Sequence, residues 1–245
     1  MVTYIEHLSD ELILEIFEFV QSHILFDTFY NLNKRFNSIL NDVHLSTDLK
    51  CNMSKALFDQ YCHKILNHKE RRQQIFYLKL SNTRTFGQIE LFMNNCSIES
   101  FIHLSSLIIT NASSADLKIV ASKLKYLKYL NYVRVKPGSS LEEEEHYIYN
   151  TIFVHESLKK CSLLEFGDTI GRIHPDMTST LECLSVDVHD KHDLINLIYW
   201  LPKIKRLAVT CDSTSSNRLV LRHPFIPFGP SLTFCHHMNH SAKSR

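Results

Sequence analysis

The 245-residue chain carries 27 Lys and Arg against 26 Asp and Glu, a net charge of +1, so no global field draws it to nucleic acid or to anionic membrane. With 44% hydrophobic residues it can bury a substantial core in one or two domains. Five glycines, and no GxGxxG, GxxxxGK(S/T), GxSxG or HExxH pattern, argue against phosphate-cradling loops and the common hydrolase sites.

The seven cysteines are scattered, odd in number and without CxxC pairs, which favours reduced, mostly buried thiols over a disulfide framework or a zinc ribbon. Glu6, Asp10 and Glu11 stand where a secretory signal would be basic, and no run reaches the roughly 20 apolar residues that span a bilayer. The expectation is a soluble protein of the cytoplasm, the nucleus or both, without a membrane partner.

In the first helical stretch Leu12, Ile13, Ile16, Phe17 and Val20 form one stripe at a 3.6-residue period, with Glu11, Glu15 and Glu18 off it. Ser9 is placed to cap this helix, and Asp10 and Glu11 complement the positive end of its dipole. A second short helix is expected from Ile24 to Tyr30, with Leu25, Phe26 and Phe29 apolar. A third is expected from Asn33 to Leu40, with Leu32, Phe36, Ile39 and Leu40 apolar. Units this small rarely close a core alone, so these helices call for a covering partner.

The run Leu8-Ser9-Asp10-Glu11-Leu12-Ile13-Leu14-Glu15-Ile16-Phe17-Glu18-Phe19-Val20, followed by Leu32-Asn33-Lys34-Arg35-Phe36-Asn37-Ser38-Ile39-Leu40, resembles the F-box. The family pattern is Leu-Pro-x-Glu-Leu-Leu-x-x-Ile-Phe and then a Cys-Lys-Arg-Trp-like third helix. This sequence departs from it at Ser9, Asn33 and Phe36. The resemblance covers residues 5 to about 42 and implies docking on a Skp1-like adaptor, and through it on a cullin. Leu8, Leu12, Ile13, Ile16, Phe17 and Phe36 would be the adaptor-facing or supporting positions.

A linking amphipathic helix is expected from Ser54 to Leu66, through Leu57, Phe58, Tyr61 and Ile65, and "HKERRQQ" then reads as a basic turn. From there an apolar-x-x-apolar-x-apolar pattern recurs: Ile75/Leu78/Leu80, Leu104/Leu107/Ile109, Leu127/Leu130/Tyr132, Leu158/Cys161/Leu163, Leu181/Leu184/Val186 and Ile204/Leu207/Val209. Its starts lie 29, 23, 31, 23 and 23 residues apart, a solenoid interval. Helical segments fall between the strands, "SSADLKIVASKLKYL" with Ser113 or Ser114 as cap and "DKHDLINLIYWL" burying Trp200. The run Glu142 to Glu145 is self-repelling and reads as a solvated loop or helix start.

Pattern and period resemble the leucine-rich repeat. The repeats are irregular, because their ninth positions (Thr83, Ala112, Val135, Phe166, His189 and Asp212) lack the family's stacking Asn or Cys. The expected fold class is therefore α/β: a three-helix F-box over 1–48, a helical linker over 49–74, and a curved solenoid of parallel strands alternating with helices over 75–212. An irregular tail over 213–245, expected to be partly disordered, would end a short or truncated array.

Lys128, Lys159, Glu182 and Lys205, with Lys160 and Arg206 beside them, are expected to stack into a largely basic column on the concave face, suited to an acidic or phosphorylated segment. The histidine groups Cys235-His236-His237 with His240, and His189 with His192, have no flanking elements that would fix a tetrahedral metal site. Asp187 with His189 lacks a nucleophile or an oxyanion donor beside it. No metal, cofactor or catalytic activity is expected. Charge is uneven: residues 1–48 hold eight acids and two bases, and 203–245 seven bases and one acid. The basic end lacks interleaved aromatics, so nucleic acid is not an expected partner.

The resemblances together imply a substrate-recognition adaptor of an SCF-type E3 ubiquitin ligase, with an unknown protein target. The alternative is a leucine-rich scaffold that never meets an adaptor.

Overall fold

The computed structural model describes residues 4–49, 55–83, 86–138, 145–164, 179–188 and 201–211. Three helices come first: α1 (Asp10–Glu18), α2 (Ser22–Phe29) and α3 (Lys34–Asp42). Their core is aromatic, with Phe29 centred 4.7 Å from Phe17 and 5.2 Å from Phe36, and Phe17 6.2 Å from Phe36. Asn33 caps α3, its side-chain oxygen accepting from the Phe36 N–H at 2.9 Å. Ser9 occupies the N-cap position of α1 without making the capping bond. The entry to α1 is held instead by Arg35, which donates to the Asp10 carboxylate at 2.6 Å, to the Glu6 carbonyl at 2.6 Å and to the Leu8 carbonyl.

Seven strands follow, β1 (Leu45–Asp48), β2 (Ile75–Ser81), β3 (Ser106–Ala112), β4 (Tyr132–Pro137), β5 (Lys160–Leu163), β6 (Cys183–Val188) and β7 (Arg206–Cys211). They form one all-parallel sheet in sequential order, so each strand lies between its neighbours in the chain. The described crossovers carry helices: α4 (Lys55–Tyr61), one π-helical turn (Cys62–Leu66) and α5 (Lys69–Gln74) after β1, α6 (Gln88–Asn95) after β2, α7 (Ser114–Leu124) after β3 and α8 (Glu145–Phe153) after β4. This is the sequential stacking of a solenoid-like α/β fold. Among the expected features, the 190–201 helix lies outside the described residues except for Leu201. The side chains of Glu142 to Glu145 and all of 213–245 also lie outside them.

Alternate residues of each strand point into the layer of helices. The inward rows are Leu78, Leu107, Val133, Cys161, Leu184 and Leu207, then Leu80, Ile109, Val135, Leu163, Val186 and Val209, in register across the sheet. This corrects the third repeat, which is Leu130/Val133/Val135 and not Leu127/Leu130/Tyr132; the starts become 29, 26, 28, 23 and 23 residues apart. A leucine three residues before the first repeat position lets the pattern slide by one gap. Leu127 is buried, but in the turn that precedes the strand, where the Leu130 N–H bonds its carbonyl at 3.0 Å. The same turn recurs at Phe101–Leu104, His155–Leu158 and Leu201–Ile204.

β1 belongs to the sheet although no repeat was expected there. Thr47 pairs with Leu78 in register, so a hydroxyl stands where the row has leucine. It is buried and lies 2.6 Å from the Tyr61 hydroxyl, with the Ser22 hydroxyl 3.2 Å from each. This triad ties α2, β1 and α4 together. The segment expected as a basic turn is helix α5, because its polar residues serve the helical unit. Gln74 donates to the carbonyls of Leu40 (2.8 Å) and Asn41 (2.6 Å) at the end of α3. Arg71 stacks over Phe26 and Tyr30 at 4.4 and 4.5 Å.

Near the end of β3, where the register shifts, Asn111 adopts a left-handed φ of 56°, and Gly138 after β4 packs on it, donating its N–H to the Ala112 carbonyl at 2.9 Å. A Cβ on Gly138 would sit 3.0 Å from the Asn111 side-chain oxygen and 3.1 Å from its carbonyl. Gly138→Ala is therefore expected to cost about 1–3 kcal/mol through backbone displacement, read as a lower Tm with an unchanged circular-dichroism spectrum.

Candidate interaction surfaces

The helical unit divides the six positions that the F-box resemblance singles out. Ile13, Phe17 and Phe36 are buried in the core of the bundle, and Leu8 is half-buried against it. Leu12 and Ile16 are 48% and 41% exposed, and Phe19 at the end of α1 is 90% exposed. These three are spaced i, i+4, i+7 and so share one side of the helix. Two of the four apolar positions of α1 at 12, 13, 16 and 17 thus serve the core and two face outward. Ile24, Tyr30 and Leu32 are exposed as well. Phe19 was not among the expected contact residues, and its place one turn beyond Ile16 was the available signal. Glu11, in the first turn of α1, has its carboxyl held below the usual range, first by its own backbone N–H and then by the Ser9 hydroxyl.

The second surface is the open face of the sheet, seven strands or about 29 Å wide at about 4.8 Å per strand. Its first row runs Tyr77, Ser106, Tyr132, Lys160, Cys183, Arg206, and its second Lys79, Ile108, Arg134, Ser162, Ser185, Ala208. The β1 side is neutralised, since Lys79 pairs with Asp48 at 3.3 Å. Tyr77 and Tyr132 are half-buried, and desolvation raises both phenol pKa values, so the hydroxyls stay protonated. From β4 to β7 the small residues Ser162, Cys183, Ser185 and Ala208 leave a groove of about 490 Å³, with Lys160 and Arg206 also lining it and Arg134 adjacent.

The expected column of Lys128, Lys159, Glu182 and Lys205 is placed differently. Lys159, Glu182 and Lys205 are consecutive, each joined to the next by a backbone N–H to carbonyl bond of 2.7–3.0 Å, and the residue before them in that chain is Asn131. Lys128 lies three residues earlier, in the turn, as the corrected register requires. Glu182 accepts from Lys205 at 2.7 Å and Lys159 at 3.4 Å, so both lysines are engaged and its carboxyl is held below the usual range, chiefly by Lys205. Lys160 and Arg206 remain on the open face, and they are joined there by Arg134, which the misplaced register of the third repeat had hidden.

Other chemistry is sparse among the described residues. Cys62, Cys96 and Cys161 are buried free thiols, and burial pushes the Cys62 thiol up to about 11 and raises Cys96 and Cys161, which keeps them protonated and unreactive. Among the described residues no three His, Cys, Asp or Glu side chains converge as a metal site would require, and no helix is long and apolar enough to cross a membrane. His189, His192 and the Cys235 to His240 cluster lie outside those residues. No family model and no curated protein matches this sequence.

Proposed function

We propose that the chain is a substrate-recognition adaptor of an SCF-type E3 ubiquitin-protein ligase, its F-box docking on a Skp1-like adaptor and through it on a cullin, and its leucine-rich repeats holding a protein target. The observation that carries this reading is the apolar side of α1. In a segment that follows the F-box pattern, Leu12, Ile16 and Phe19 face solvent while Ile13 and Phe17 close the bundle behind them. Such a patch on an acidic helix is costly to leave bare and is the material of a partner interface. The chain would contribute no reacting group. Its effect on rate is proximity, holding a target beside a ubiquitin-charged enzyme elsewhere in the assembly.

The test is co-expression with a Skp1 homologue and co-purification. Wild type is expected to bind. Leu12→Asp with Ile16→Asp is expected to lose binding by more than about tenfold while keeping its Tm, since both side chains are exposed. A wild type that fails to bind, or a double variant that binds equally well, overturns the proposal.

The second reading is a leucine-rich scaffold without a ligase role. It is favoured by the cover that the chain itself supplies, Arg71 over Phe26 and Tyr30 and Gln74 on the end of α3. Absence of adaptor binding in the same experiment selects it.

A further inference from the structure

The open face of β4 to β7 differs from the rest of the sheet in its charge. Arg134, Lys160 and Arg206 are exposed and point away from the core, and among the described residues none of them has an ion-pair partner. Three strand intervals of about 4.8 Å separate β4 from β7, and Lys160 lies one interval from Tyr132 and two from Arg206 in the same row. The cations thus ring a patch about 14 Å across. Its floor is Ser162, Cys183, Ser185 and Ala208, small enough to admit a ligand to the backbone level and carrying two hydroxyls. The nearest acid along the lower rim, Glu182, is already held by Lys159 and Lys205. Asp187, higher on β6, has a partner of its own.

We propose that this groove binds a phosphorylated segment of a protein partner, with Arg134, Lys160 and Arg206 taking the phosphoryl group and Ser162, Ser185 and the Tyr132 hydroxyl lining its base. A phosphate monoester carries nearly two charges and three strong acceptor oxygens, which match two arginines and a lysine around one groove better than a single carboxylate does. Nucleic acid needs a longer basic track with stacking platforms. Among the described residues the track stops on the β3 side: Ile108 interrupts it there, and Lys79 on β2 is paired with Asp48 of β1. The inference rests on the reading of the concave face as the recognition surface and not on adaptor docking, so it holds under either function proposed above.

The experiment uses the immobilised full chain and three probes: a degenerate peptide library around a fixed phosphoserine, the same library after phosphatase treatment, and a mixed 12-nucleotide single-stranded DNA. The phosphorylated library is expected to be retained roughly tenfold over its treated copy and over the DNA. Arg134→Gln and Lys160→Gln should each cut retention about three- to tenfold, and together abolish the preference. Lys125→Gln, on the turn after α7, should change nothing. Equal retention of the two libraries, stronger retention of DNA, or undiminished preference in the folded double variant overturns the proposal. The Leu12→Asp/Ile16→Asp variant should still select phosphopeptides, so failure of adaptor docking and failure of this site are separable.

Discussion

Phe36→Ala is expected to lower the free energy of unfolding by about 3–5 kcal/mol, the range for emptying a large aromatic site in a packed core. Phe36 is fully buried and packs on Phe17 and Phe29, so all three helices lose contacts at once. Neighbouring backbone offers little room to collapse, because α3 is capped at one end by Asn33 and held at the other by Gln74. Against a total stability of about 5–15 kcal/mol the loss is large. It should not remain local, since α3 ends at Asp42 and β1 begins at Leu45. Urea denaturation followed by circular dichroism measures it. Leu12→Ala, on the same unit but exposed, should change stability by less than about 0.5 kcal/mol. If the two variants unfolded alike, the division of α1 into a core side and an outward side would be wrong.

Asn82→Ala is expected to cost about 2–4 kcal/mol, because it breaks a buried polar network without removing its other members. The Asn82 side-chain oxygen accepts the Ile89 N–H at 2.9 Å, near the start of α6, and its amide donates to Asp116 at 2.9 Å. Asp116 is itself buried and serves the capping box of α7, accepting from the Ser113 N–H at 3.0 Å and the Ser113 hydroxyl at 2.7 Å. Alanine leaves a buried helix N–H unpaired and takes one donor from a buried carboxylate. Asn82→Asp should be worse at neutral pH, with two carboxyls meeting where one amide was. Protonating one of them restores a donor, so the folded state then binds more protons than the unfolded chain and stability must rise as pH falls from 7 towards 5. Thermal melts across that range would show it. A variant insensitive to pH would mean that the two carboxyls do not face each other.

The same network shows why part of the fold was hard to read. The family's stacking Asn stands at the ninth position, which no repeat here matches, whereas the bonding residue is Asn82 at the eighth, and its partners lie 7 and 34 residues away. β1 escaped for a similar reason. Its central inward residue is a threonine, made acceptable by hydroxyls on Ser22 and Tyr61, and a local hydropathy pattern cannot register that compensation. The repeat pattern puts Tyr132 in the core, because a leucine pair three residues apart, Leu127 and Leu130, lets the repeat slide. Sheet pairing places it outward beside Lys160 and brings Arg134 to the surface with it.

The order of the helical unit and the recurring strands was written in the chain itself, because the 3.6-residue stripe of α1 and the spaced apolar positions of the repeats are local properties that each segment carries alone. Tertiary structure decided the rest: that β1 joins the sheet, that Ile13 and Phe17 turn inward while Leu12 and Ile16 do not, and that Glu182 engages Lys159 and Lys205 but leaves Lys160, Arg134 and Arg206 without an ion-pair partner among the described residues. Periodicity says that a segment has an apolar side. Which residue meets which, and which charges are neutralised, depends on hydrogen bonds and contacts between residues far apart in the chain.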